Sequence, residues 1–154
     1  MKKIKKYLKK HLTKDRYHHT LGVAYTAAAL AMKYNTDTSN ANLAQRAYLA
    51  GLLHDCAKCM SDEKKLQMCD KNHISYSSME AEHPYLLHGK VGAHIARAKF
   101  KIRDEDILQA ITWHTTGRPN MSLLEKIIFV ADYIEPSRKP VKELDLIRRL
   151  AFED

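Results

Sequence analysis

The stretch YLAGLLHDCAKCM, Tyr48 to Met60, runs apolar through Leu53 and then sets His54 beside Asp55. Leu43, Ala47, Ala50 and Leu53 recur at three- and four-residue intervals, the spacing of a helix with one buried face. That face delivers His54 to the C-terminal end of the helix. A histidine and an aspartate where a hydrophobic helix stops are either a satisfied buried pair or metal ligands. The dipeptide alone leaves both readings open. The periodicity leading up to it decides the fold class, because the same spacing recurs along the whole chain.

Outward from this stretch the sequence reads as consecutive helices, and no run alternates long enough for a strand. A basic helix is expected over 2–12 and a second over about 15–34, with GVAYTAAALAM packed on the core. NTDTSN ends it and offers Ser39 or Asn40 as N-cap for the helix of Leu43. Ser61 caps a short charged helix near 62–71, and 72–89 reads as irregular, with turns around Ser77 and Pro84. Further helices are expected over about 90–100 and, capped by Asp104, to about Thr115. TTGRPNM is a turn, after which Ser122 and Glu125 form a capping box opening LLEKIIFVADYI. Pro136 stops that helix, and Pro140 is expected in the first turn of a last, short one.

Composition narrows the class. The chain of 154 residues suits one domain with a real core, here expected to be all-α. No apolar run reaches the ~20 residues of a membrane span, and the lysine-rich N-terminus lacks the apolar block of a signal peptide. A cytoplasmic protein is expected. Cys56, Cys59 and Cys69 are an odd set, read as free thiols. The CxxC of Cys56 and Cys59 lacks the second pair of a zinc knuckle and the βαβ setting of a redox motif. The net charge is +8, partly from Lys2, Lys3, Lys5, Lys6, Lys9, Lys10 and Lys14. Between these lysines Ile4, Tyr7, Leu8 and Leu12 fall at helical spacing, so the stretch reads first as an amphipathic helix with a solvated face. The alternative is attraction to nucleic acid or another polyanion.

Nine histidines lie along the chain. His11, His18, His73 and His94 read as ordinary surface or core residues. His54, His88 and His114 fall at or near helix ends, and Asp132 interrupts the apolar IIFVADYI. A buried carboxylate needs a cation, since desolvating it unpaired costs several kcal/mol. Mixed imidazole and carboxylate suit Fe, Mn, Co or Zn better than Ca.

The succession RYHHTLGVAYTAAALA, AGLLHDCAK, LLHGKVGAHIA and ITWHTTGRPNMSLLEKIIFVADYIEPSR resembles the HD-domain phosphohydrolases. It is most similar to the bacterial YqeK group of symmetrical bis(5′-nucleosyl)-tetraphosphatases, which split diadenosine tetraphosphate into two ADP. The resemblance covers about residues 1–140. It implies a helical bundle with a metal site between helices. It further implies a single HD domain over 1–154 that stops short of the C-terminal helices with which relatives continue.

The resemblance also assigns roles. His19, His54, Asp55 and Asp132 match the metal ligands, with Fe expected, Mn or Co possible, and one or two ions. Asp55 is expected to share ligand and base functions. His88 and His114 match histidines that face the phosphates, and comparable histidines in other HD enzymes bind a second metal. Arg16, Lys58, Arg118 and Arg138 match phosphate-contact positions, and Thr115, Thr116 and Gly117 form a turn beside His114. The expected ligand is a dinucleoside polyphosphate or an ADP- or GDP-like nucleotide, with no membrane partner and a homodimer possible. Two alternatives stand beside this reading: another HD nucleotide phosphohydrolase or phosphodiesterase, and a non-catalytic basic helical module that binds nucleic acid. No P-loop or dinucleotide-binding glycine fingerprint is present, so nucleotide recognition falls to the metal-and-arginine cluster.

Overall fold

The structure, a computed structural model, describes residues 1–36 and 42–153. The expected cap at Ser39 or Asn40 lies outside the described residues. Among those described, the chain is helical throughout: α1 (Lys2–His11), α2 (Lys14–Tyr34), α3 (Leu43–Leu53), α4 (Asp62–Lys71), α5 (Ser78–Glu82), a 3-10 turn Pro84–Leu87, α6 (His88–Phe100), α7 (Glu105–Trp113), α8 (Leu123–Ile134) and α9 (Leu144–Leu150).

The centre is the pair α2 and α3, with α8 and α7 packed across it and α6 outside α7. α2 and α3 meet closely because their facing residues are small. A Cβ placed on Gly51 of α3 would stand 2.7 Å from the Cα of Ala24 on α2, so only glycine permits this approach. Around that contact Leu8, Leu30, Leu43, Leu52, Leu53, Ile111, Leu124 and Ile128 are buried. Each such aliphatic side chain contributes roughly 1.5–3 kcal/mol by leaving water. The α6–α7 contact repeats the device: a Cβ on Gly89 would lie 2.5 Å from the carbonyl oxygen of Thr112.

Several caps follow the sequence. Thr13 Oγ1 accepts from Arg16 N, Ser61 Oγ from Lys64 N, and Asp104 from the amides of Asp106 and Ile107. Ser122 and Glu125 form a reciprocal capping box at the start of α8. Two expectations need correction. The stretch read as irregular contains α5, opened by a second capping box between Ser77 and Glu80, and α6 begins at His88 rather than near 90. The five residues of α5 are too few for hydrophobic periodicity to register. Pro140 does not open the last helix. α9 starts at Leu144 behind Glu143, whose left-handed φ of 70° makes a turn between the proline and the helix.

Candidate metal centre

Four histidines and two aspartates converge from five helix ends. His19 projects from the second turn of α2. α3 stops at Leu53, and tight turns from Leu53 O to Cys56 N and from Asp55 O to Lys58 N hold His54 and Asp55 at its buried end. His88 begins α6, His114 follows the last residue of α7, and Asp132 lies in the last turn of α8.

A helix leaves its last carbonyls without intrahelical partners. Here imidazoles satisfy some of them. His54 Nδ1–H donates to Gly51 O at 2.7 Å, and His114 Nδ1–H to Ile111 O at 2.7 Å. His88 Nδ1–H donates to Tyr85 O of the 3-10 turn at 2.6 Å. His19 Nδ1–H donates to Glu135 Oε1 at 2.9 Å. With Nδ1 carrying a hydrogen, each ring turns its Nε2 inward, where it offers a lone pair to a cation or, once protonated, a hydrogen to a carboxylate.

What those nitrogens meet is the carboxylates. Asp132 Oδ1 lies 3.0 Å from His19 Nε2 and 3.8 Å from His54 Nε2. Asp55 Oδ2 lies 3.4 Å from His54 Nε2 and 3.9 Å from His19 Nε2. Asp55 Oδ1 lies 3.3 Å from His88 Nε2 and 3.5 Å from His114 Nε2, and those two nitrogens are 3.1 Å apart. His19 Nε2, His54 Nε2 and Asp55 Oδ1 are buried and make no aligned hydrogen bond. Orphaned polar atoms in a protein interior are costly and rare. Three of them aimed at one place ask for a cation.

The donor set fits one. The groups His19–His54–Asp55, His54–His114–Asp132 and Asp55–His88–His114 each bring their ligand atoms within 4.8 Å of one another. Nitrogen and oxygen ligands bind transition metals at about 2.0–2.2 Å, so two of them around one ion stand at most about 4.4 Å apart. The nitrogen–oxygen separations given above, from 3.0 to 3.9 Å, lie inside that limit. The electrostatics agree. Burial pushes Asp55 upward, but His54, His114 and His88 outweigh it and hold the carboxyl well below its ordinary range. Asp132 is likewise pushed up by burial and brought well down by His19 and His54. Both stay ionised.

The cationic side chains sit around this centre. Arg16 Nη1 donates to Asp55 Oδ2 at 2.9 Å, and Arg138 Nη2 to Asp132 Oδ1 at 3.1 Å. Lys58 Nζ donates to His88 Nε2 at 3.2 Å, and Thr115 Oγ1 is also 3.2 Å from that nitrogen. A cleft of about 560 Å³ opens beside the cluster, lined by Arg16, His18, His19, Ser137, Arg138 and Lys139 among others. Arg118 is engaged elsewhere. Its guanidinium grips Glu125 through Nε at 2.7 Å and Nη2 at 3.1 Å. Glu125 is 1% exposed, so its charge requires this partner. Thr116 is exposed, and Gly117 takes a left-handed φ of 64° that turns the chain after His114.

Sequence reasoning passed over three residues. His18 was read as an ordinary surface residue; it is exposed but lines the cleft, as does Lys139. Glu135, the partner of His19, carried a signal in ADYIEPSR: it follows Asp132 by one helical turn and shares its face.

Residues 16–137 match the sequence profile of the HD domain. The symmetrical bis(5′-nucleosyl)-tetraphosphatase of Halalkalibacterium halodurans is 48% identical over 132 residues, which is 86% of this chain and 67% of that protein. The enzyme of the same name from Bacillus subtilis is 40% identical over 96% of this chain and 75% of its own length. A crystal structure described as a predicted HD superfamily hydrolase involved in NAD metabolism, from Clostridium acetobutylicum, superposes with a TM-score of 0.91. It is 48% identical and covers 99% of this chain and 77% of its own. The chain belongs to the HD-domain family, in the group that holds the symmetrical bis(5′-nucleosyl)-tetraphosphatases.

Proposed function

We propose that this protein is a metal-dependent phosphoanhydride hydrolase that splits diadenosine tetraphosphate symmetrically into two ADP. The observation that carries the reading is the convergence of orphaned His19 Nε2, His54 Nε2 and Asp55 Oδ1 beside an arginine-lined cleft. The names of its relatives give the substrate class, a bis(5′-nucleosyl) tetraphosphate cut symmetrically. In this reading His19, His54, Asp55 and Asp132 hold the metal, most simply iron, with manganese or cobalt able to replace it. Asp55 with His88 and His114 offers a second set of donors, so one or two ions fit. When bound, the metal would lower the pKa of the attacking water and polarise a phosphoryl oxygen.

The chain's own side chains do the rest. Arg16 and Arg138 line the cleft and present planar forks that match phosphate oxygens. Asp55, held ionised, is placed to accept a proton from the attacking water. The water oxygen forms the new P–O bond as the bridging P–O bond breaks. His88 and His114 face the same carboxylate, and Lys58 and Thr115 bring N–H and O–H groups to His88 Nε2. The proton taken up at Asp55 Oδ1 passes to the facing Nε2 of His88 or His114, 3.3 and 3.5 Å away, and from there to the departing ADP oxygen, which completes the exchange.

Four histidines gathered on two carboxylates speak against a basic module whose histidines merely fill a core. No helix among the described residues is long and apolar enough to cross a membrane. We assign the enzyme to the cytoplasm, which fractionation of expressing cells would check, and infer that two copies associate.

The test of function is ADP release from diadenosine tetraphosphate by purified protein with Fe²⁺, Mn²⁺ or Co²⁺, against a panel of other nucleotides. Asp55→Ala should abolish turnover and lower bound metal. Unchanged metal content in that variant would remove Asp55 from the ligand set. Hydrolysis only of other nucleotides would move the assignment to another HD activity.

A further inference from the structure

His19 is anchored unlike the other three histidines. His54, His88 and His114 each give Nδ1–H to a neutral carbonyl three residues back on their own segment. His19 gives it to a carboxylate 116 residues away, at the end of α8. We propose that Glu135 is the positioning residue for His19, fixing its ring so that Nε2 presents a lone pair beside Asp132. The proposal rests on the metal-centre reading above.

Three observations carry it. The Glu135 side chain is only 1% exposed and reaches its place as an acceptor: Ser137 N donates to Oε2 at 2.7 Å and Ser137 Oγ to Oε1 at 2.8 Å. A carboxylate this deep costs several kcal/mol to desolvate unless something needs it. Next, Asp132 and Glu135 stand one turn apart on α8 and bracket a single imidazole, with Oδ1 3.0 Å from Nε2 and Oε1 2.9 Å from Nδ1. The ring is thereby keyed to the helix that supplies a partner ligand. Finally, α2 makes room for the carboxylate. A Cβ on Gly22, one turn beyond His19, would collide with Glu135 Oε2 and stand 3.2 Å from its Cδ.

The chemistry follows from the charge of Glu135. An anionic acceptor at Nδ1 holds a hydrogen there against the pull of Asp132 on Nε2, and strengthens Nε2 as a donor to a metal that Asp132 would share. A glutamine keeps the shape but loses the charge. Its amide can also turn its NH₂ toward Nδ1, which would place the hydrogen on Nε2 and close the ligand position.

The experiment reads tautomer and metal affinity separately. In metal-free Asp132→Ala protein, which removes the carboxylate that faces Nε2 at 3.0 Å, ¹⁵N spectra of the histidine rings should show His19 protonated at Nδ1, and mixed or reversed once Glu135→Gln is added. Titration with Mn²⁺, followed by the signal of free ion, should show about 10- to 100-fold weaker binding in Glu135→Gln. Gly22→Ala should weaken binding in the same direction. In a Glu135→Ala background it should add nothing, because only the Cβ of residue 135 remains, at 3.5 Å. A Glu135→Gln change that leaves the tautomer unaltered and Mn²⁺ affinity within about twofold of wild type overturns the proposal, as do simply additive effects of Gly22→Ala and Glu135→Ala. If the Ala variants do not fold, the Gln variant decides alone. An Asp55→Asn control that binds Mn²⁺ like the wild type would instead sink the metal reading, leaving the tautomer result to judge Glu135.

Discussion

Asp55 shows how one residue serves two sets of partners. Its Oδ2 faces Arg16, His54 and His19, and its Oδ1 faces His88 and His114. Its neighbour Cys56 illustrates the opposite case. Cys56 is buried and its thiol is pushed up to about 12, first by burial and then by the charge of Asp55. Its Sγ–H donates to the carbonyl of Gly92 at 3.6 Å. Cys69 is buried too, while Cys59 is exposed. Thiolate is the reactive form, so neither buried thiol should react. Native protein at pH 8 should therefore titrate about one thiol per chain with a colorimetric disulfide reagent, and three after unfolding. Rapid reaction of two thiols in the native state would show that the CxxC pair is open to chemistry after all.

At the scale of elements, the centre depends on how closely helices approach. α2 supplies His19 and α3 supplies His54 and Asp55, and Gly51 sets the distance between them. Gly51→Ala must separate backbones, since the added Cβ would meet Ala24 Cα at 2.7 Å rather than a flexible side-chain tip. Overpacking of this kind costs about 1–3 kcal/mol. Thermal unfolding should show that loss, and metal affinity should fall as well, because the shift moves His54 relative to His19. Stability and affinity both equal to wild type would mean that α3 is not fixed by this contact.

The same packing explains what the sequence made legible. Helices with side-chain caps, such as α2, α4 and α8, stand where the residues place them. In the sequence His54, His88 and His114 stand out only as histidines at or near helix ends, and Asp132 as a carboxylate in an apolar run. The resemblance, not spacing, joined His19 and Asp132 to them, since nothing local links positions on different helices. Glu135 and His18 escaped because their roles exist only once α2 and α8 are side by side. Arg118 illustrates the reverse: a cation next to His114 in sequence is drawn instead to Glu125, whose burial leaves it no other counter-charge.

For the whole molecule, one apolar surface bears on the association inferred above. Leu146, Leu150 and Phe152, on and just after α9, are 44%, 40% and 43% exposed. Beside them a groove of about 350 Å³ runs between α2 and α8, lined mainly by Leu30, Tyr34, Leu123, Ile127, Val130 and Ala151. The centre lies toward other ends of the same helices, so this face can be covered without closing the cleft at Arg16 and Arg138. Large exposed apolar patches on folded domains often serve as contacts, and we propose this face as the one where two copies meet. The net charge of +8 opposes association of identical copies, so the apolar contact must outweigh that repulsion. Association should therefore strengthen as salt screens the charge. Sedimentation velocity at rising protein concentration should show a shift from monomer to dimer, larger in 0.5 M than in about 0.05 M salt. Leu150→Glu with Phe152→Glu places charge in the contact and should return the protein to monomer while leaving bound metal unchanged. A wild type that stays monomeric at high concentration and high salt would remove this face as a dimer contact, and dimers that persist in the double variant would place the contact elsewhere.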